Sequence, residues 1–258
     1  MEMTIETGRE IMAPLRNASL PGTADTKPQE DHRVRVAREK RKRMRAHLMQ
    51  SIIAVCSGRK LTGSTVIEDV VRHAEVSRGT FYKYFETLDE AVIEIASELA
   101  EEMTVGISSV YDVLDDPILR TATGFQTFLS RSLIDPNWGA FIIHLDLLNG
   151  EQNQIASKVK GDIRLGIQTG DYFVKSVDTA ADLLMGAKHE AIRRIIAGEH
   201  DVSYIQDMAA MVLKSFGVSH HKAEKSVVHS FERLCKLAPA KLSWWKTDGP
   251  AAQFRSAP

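Results

Sequence analysis

The chain has 258 residues, 43% hydrophobic and 26% charged, with a formal net charge of −1; this excludes a disordered or fibrous protein and allows one large domain or two modest ones. Two cysteines, Cys56 and Cys235, stand in no metal-ligand spacing and exclude a disulfide scaffold. No apolar run approaches the ~18 residues that cross a bilayer, and residues 1–22 lack the apolar core of a signal peptide, so a reducing, cytoplasmic setting is expected.

In chain order, residues 1–32 carry Pro14, Pro21, Gly22 and Pro28 without periodicity and read as a flexible tail. Residues 33–45 read RVRVAREKRKRMR, eight basic against one acidic, leaving −8 on the rest of the chain. Such a block is either an electrostatic footprint for phosphates or a solvated basic arm. Met44, Leu48, Ile52, Ile53 and Cys56 then recur at helical spacing up to Gly58. A second helix is expected over 66–74, opened by a Thr65/Glu68 capping box. A short helix follows from Ser77 to Phe85, and a long one from Leu88 through Met103, opened by a Thr87/Glu90 capping box. Prolines and glycines divide the remainder into helices near 118–133, 138–148, 152–168, 178–196, 202–216 and 223–237. Residues 239–258 read as a loose tail that Trp244 and Trp245 can dock. Nothing alternates long enough for a sheet, so the fold class is all-α.

The informative segment is 65–92, TVIEDVVRHAEVSRGTFYKYFETLDEAV. It gives two short helices around a tight turn at Glu75–Ser77. Val70, Val71, Ala74, Val76 and Phe81 fall where a two-helix corner buries them. The outer side of the second helix carries Arg78, Thr80, Lys83 and Tyr84, the pattern of a helix-turn-helix that enters the major groove. Arg78 suits guanine O6 and N7, Thr80 a phosphate or a thymine methyl, and Lys83 a phosphate or guanine. Tyr82 and Tyr84 suit either DNA contact or packing.

The run Ala74 to Phe85, AEVSRGTFYKYF, closely resembles the signature A-G-V-S-x-G-x-[LF]-Y-x-[HY]-F of tetracycline-repressor-like (TetR) regulators, and the detailed resemblance covers about residues 44–102. It implies an N-terminal three-helix helix-turn-helix domain (33–87 with its basic arm) and a larger helical ligand-binding and dimerisation domain (88–238). It implies DNA contacts by Thr65, Arg78, Thr80, Tyr82, Lys83 and Tyr84, to which Ser77, Gly79 and the basic Arg41, Lys42, Arg43 and Arg45 are added. Glu75 replaces the family's turn glycine, Leu88 replaces a phosphate-binding lysine, and Gly58 and Gly63 stand at an unusual offset.

Phe125, Phe128, Trp138, Phe141, His144, Tyr172 and Phe173 are candidates for a ligand cavity, with ordinary core as the competing reading. The stripes of 178–196 and 202–216 are broad, and pairing them across a two-fold axis puts Leu184, Ile192, Ile195, Met208 and Val212 in a dimer interface. His189-Glu190 lacks the second histidine of a zinc-protease helix, since position 193 is Arg. No metal, cofactor or catalytic site is expected. The expected function is a homodimeric DNA-binding repressor released from a palindromic operator by a small molecule. A helical ligand-binding protein or enzyme with a merely structural helix-turn-helix, and an effector-free DNA binder, are the alternatives.

Overall fold

The computed structural model describes residues 32–57, 64–111, 114–149, 154–198 and 200–245. These form ten α-helices and, among the described residues, no strand: α1 (His32–Ser57), α2 (Ser64–His73), α3 (Arg78–Phe81), α4 (Leu88–Tyr111), α5 (Pro117–Ile134), α6 (Pro136–Asn149), α7 (Gln154–Gln168), α8 (Val177–Ile196), α9 (Val202–Ser215) and α10 (His220–Lys241). The 1–31 part of the expected tail, Gly58, Gly63 and residues 246–258 lie outside the described residues. The chain divides into two compact units, Met1–Arg41 and Lys42–Pro258. Of the first, the described residues are the opening turns of α1, and all are exposed.

The basic block is therefore helical rather than a loose arm preceding a helix at Met44. Arg, Lys, Glu and Ala are good helix formers. The block contains no glycine or proline, and nothing in it stops α1 from extending to His32.

Capping chemistry sets most other boundaries. Asp116 accepts from the Ile118 and Leu119 amides at 2.7 and 3.3 Å, with Pro117 in the first turn of α5. Thr87 accepts from the Glu90 amide at 3.0 Å, while the Glu90 carboxylate reaches the Glu86 amide at 2.9 Å, one residue before the reciprocal partner of a standard capping box. In the other expected box the Thr65 side chain lies outside the described residues. Helix α2 starts at Ser64, and the Glu68 carboxylate is engaged with Arg78.

Helix α5 is the centre of the bundle, packing against α4, α6, α7, α8, α9 and α10. Gln126, buried on it, donates to the Val227 carbonyl at 3.1 Å and accepts from Ser230 at 3.0 Å. The Tyr172 hydroxyl sits 2.8 Å from both the Pro117 carbonyl and Thr121. Burial raises its pKa, keeping it a neutral hydrogen-bonding group.

Helix α10 runs through Pro239 to Lys241, beyond the expected end at 237. Leu242 and Trp245 are buried, so the described start of the expected C-terminal tail is docked core. Cys56 and Cys235 are free thiols whose pKa burial pushes up to about 11, which disfavours the reactive thiolate.

Candidate functional site

The turn between α2 and α3 is a Schellman motif. The Val76 amide donates to the Val71 carbonyl at 3.0 Å, and the Glu75 amide donates to the Arg72 carbonyl at 3.2 Å. This closure needs a left-handed residue at its corner, and Glu75 supplies it with φ +52°, the one positive φ at a non-glycine among the described residues. A side chain there costs on the order of 1–2 kcal/mol relative to glycine. The ring of His47 on α1 braces the corner, its Nε2 donating to the Ala74 carbonyl at 2.9 Å. Val70, Ala74, Phe81 and Phe85 are buried, with Val71 and Val76 packed against them. They form one apolar cluster with Leu48, Ile52 and Cys56 of α1 and Ala91, Val92 and Ile95 of α4.

Helix α3 is a single α-turn. Ser77 caps it, accepting from the Thr80 amide at 3.1 Å. Beyond it the chain tightens, with Lys83 and Tyr84 amides donating three residues back to Thr80 and Phe81 carbonyls. Because Phe81 and Phe85 turn inward, Ser77, Arg78, Gly79, Tyr82 and Lys83 are exposed, and Thr80 and Tyr84 are half-buried.

Arg78 and Arg45 have carboxylate partners. Arg78 pairs with Glu68 at 2.7 Å, both half exposed. Arg45 pairs with Glu94 at 2.5 Å and Glu98 at 2.7 Å on α4; chiefly Glu98 holds the Arg45 pKa above its ordinary value. Arg41, Lys42 and Arg43 are exposed, as are Arg33, Arg35, Arg38 and Lys40. Thr65 lies in the first turn of α2, but its side chain is outside the described residues.

The second feature is a cavity of about 50 Å³ inside the bundle. Helix α4 contributes Ile107, α5 contributes Arg120, Thr121, Gly124, Phe125 and Phe128, α7 contributes Ile155, Lys158, Val159 and Asp162, and α8 contributes Leu184, Met185 and Lys188. Of the aromatic residues singled out from sequence, Phe125 and Phe128 line this cavity. Trp138 and Phe141 are buried in the cluster that the helix-turn-helix shares. The His144 side chain is outside the described residues, and Phe173 is 78% exposed.

The expected interface residues Leu184, Ile192, Ile195 and Val212 are buried within the single chain, Leu184 as cavity wall. Their apolar stripes face the bundle's own core. Met208 keeps partial exposure, and the outward apolar residues of α8 and α9 are Leu183 and Met211.

The cavity cations were missed. Lys188 stands four residues after Leu184 and four before Ile192, inside the apolar stripe of α8, and that register is the signal that a buried charge is present. Among the described residues no cluster of His, Cys, Asp or Glu is arranged to hold a metal ion, and no helix is long and apolar enough to cross a membrane.

No family model matches the chain, and no curated protein matches it. Two solved structures share the fold. The chain is similar to RolR (NCGL1110) without ligand, with a TM-score of 0.51 and 24% identity over 71% of this chain and 96% of that one. It is similar to RolR in complex with resorcinol, with a TM-score of 0.51 and 23% identity over 74% of this chain and 95% of that one. At this identity the likeness is one of fold: an all-α chain in which the helix-turn-helix and the helical bundle occur together.

Proposed function

We propose that the protein is a DNA-binding transcriptional regulator of the TetR type whose helix-turn-helix answers to a small molecule in the bundle. The observation that carries this reading is the continuity of α4. The helix begins three residues after Phe85 of the reading motif, packs Val92 and Ile95 under it, and ends beyond Ile107 in the cavity wall. An apolar cavity of roughly 150 Å³ is what benzene fills, so a ring-sized ligand in this 50 Å³ space moves its walls or projects from its open side. One wall is the helix on which the reading motif packs. The effector acts by binding one position of that helix better than the other. The resorcinol complex of RolR supports a small-molecule ligand in a chain of this fold.

In this reading Arg78, Thr80, Lys83 and Tyr82 meet the major groove, and the basic residues of α1 meet phosphates. Two copies bind a palindromic operator as a repressor, with half-site centres about one helical turn, ~34–36 Å, or a multiple of it, apart. Selection of bound sequences from a random DNA pool tests this. An imperfect palindrome is expected, with Arg78→Ala relaxing one position per half-site by about 1–3 kcal/mol. Retention of DNA without sequence preference, or equal binding of a single half, contradicts it.

A further inference from the structure

The polar groups around the bundle cavity are engaged with the protein itself, which decides what is left for a ligand. Arg120 donates through Nε to the Asp162 carboxylate at 2.9 Å and through Nη1 to the Leu114 carbonyl at 3.3 Å. The Tyr172 hydroxyl lies 2.8 Å from both the Pro117 carbonyl and Thr121 Oγ1. A carbonyl only accepts, so the one Tyr172 proton goes to Pro117 and the Thr121 proton serves the other contact. Lys158 donates to the Ser108 hydroxyl, and the Lys188 Nζ stands 5.1 Å from the centre of the Phe128 ring. Both lysines, like Arg120 and Asp162, make further interactions besides these. What the cavity presents to a ligand is an almost wholly apolar wall, made by Ile107, Phe125, Phe128, Val159, Leu184 and Met185.

We infer that the cavity takes a small uncharged aromatic ring that carries alkyl groups rather than hydroxyl or carboxyl groups, an alkylbenzene in chemical class. This rests on the proposed function, in which the cavity is the effector site, and gives that site a ligand class. Phe125 and Phe128 bring two aromatic rings to the wall and Met185 a polarisable thioether, contacts that suit a flat ring. The ring is held in proportion to the apolar area it buries. A ligand hydroxyl carried against this wall gives up its hydrogen bonds to water and finds none in return, and a carboxylate gives up far more. To receive a carboxylate, Arg120 would have to leave Asp162, and removing one partner of such a pair strands the other charge. The site therefore selects by rejecting polar substituents on a ring that it otherwise accepts.

Calorimetric titration of the full-length protein without DNA tests the inference, with toluene, phenol, resorcinol and benzoate as probes. Toluene should bind at least about tenfold more tightly than phenol, equivalent to about 1.4 kcal/mol, and resorcinol and benzoate more weakly than phenol. Val159→Thr nearly keeps the side chain's shape and adds a hydroxyl to the wall, so it should narrow the preference for toluene over phenol severalfold. Met185→Gln, at a half-buried position of the same lining, gives the same reading should Val159→Thr not fold. Phenol, resorcinol or benzoate binding as tightly as toluene, no binding of toluene, or an unchanged preference in the folded variants overturns the inference. Because no DNA is present, failure here is distinct from failure of the regulator reading, which the sequence selection decides.

Discussion

Around the helix-turn-helix the cations sit at the surface in exchangeable pairs: Arg78 with Glu68, both 52% exposed, and Arg45 with Glu94 and Glu98. In the bundle they are taken inside. Lys188 lies under Phe128. Arg131 is buried with its guanidinium over the Trp138 and Trp244 rings at 4.5 and 5.2 Å, bonded to Glu102 at 2.7 Å. Burial lowers the Arg131 pKa, and Glu102 opposes that shift. A surface pair is worth about 0–1 kcal/mol, so phosphate or a base edge displaces it at little cost. A buried pair resists any change of partner. In the proposed function the exposed pairs trade carboxylates for DNA, while the interior charges hold the bundle's geometry.

The largest effect is expected where that contrast is sharpest. Glu102→Ala should destabilise the protein by about 3 kcal/mol, the lower end for breaking a buried pair because Glu102 is partly exposed and Arg131 is left behind. Urea denaturation measures it, and a loss no larger than that of a surface pair would place Arg131 in the exchangeable class. Next come two corners of the same geometry. Gly217 closes α9 with φ +89°, its amide donating to Lys214 and the Val218 amide to Leu213. A Cβ there would lie 2.9 Å from that of Phe173. Gly217→Ala should cost about 1–3 kcal/mol, whereas Glu75→Gly should stabilise by about 1 kcal/mol. Paired melts of the two variants check the opposite signs. The smallest effect is at the surface. Glu68→Ala should change stability by less than about 1 kcal/mol. It should also raise DNA affinity, because Arg78 no longer leaves a carboxylate to reach a base; fluorescence anisotropy on a selected site reads it.

How much of this was legible in the sequence follows the same division. The helix-turn-helix was readable because its rules are local: Ser77 as a cap, Val70, Ala74 and Phe81 as a corner, and Glu75 in the turn-glycine position, where the backbone is left-handed. The bundle's helices were readable from Pro117, Gly170, Gly198 and Gly217, which punctuate them. The cavity was only half readable. Phe125 and Phe128 stood out as aromatics, but which face of α6 or α8 turns inward depends on partners far away in sequence. Trp138 lies in the core, Phe173 at the surface, and Leu184, Ile192, Ile195 and Val212 are buried within the chain. The cations Lys158 and Lys188 resemble solvated charges until the packing of α5, α7 and α8 encloses them. Pro239 misplaced the end of α10 because the buried Ala238 and Leu242 hold that segment in place across the break in hydrogen bonding.

The central claim is that cavity and reading surface are linked through α4. The direct test is a thermodynamic cycle on the full chain: affinity for a selected operator with and without saturating ligand, and ligand affinity for the free and operator-bound protein. The account predicts that the ligand weakens operator binding, and that the operator weakens ligand binding by the same factor. A ligand that binds free and operator-bound protein equally well would contradict it.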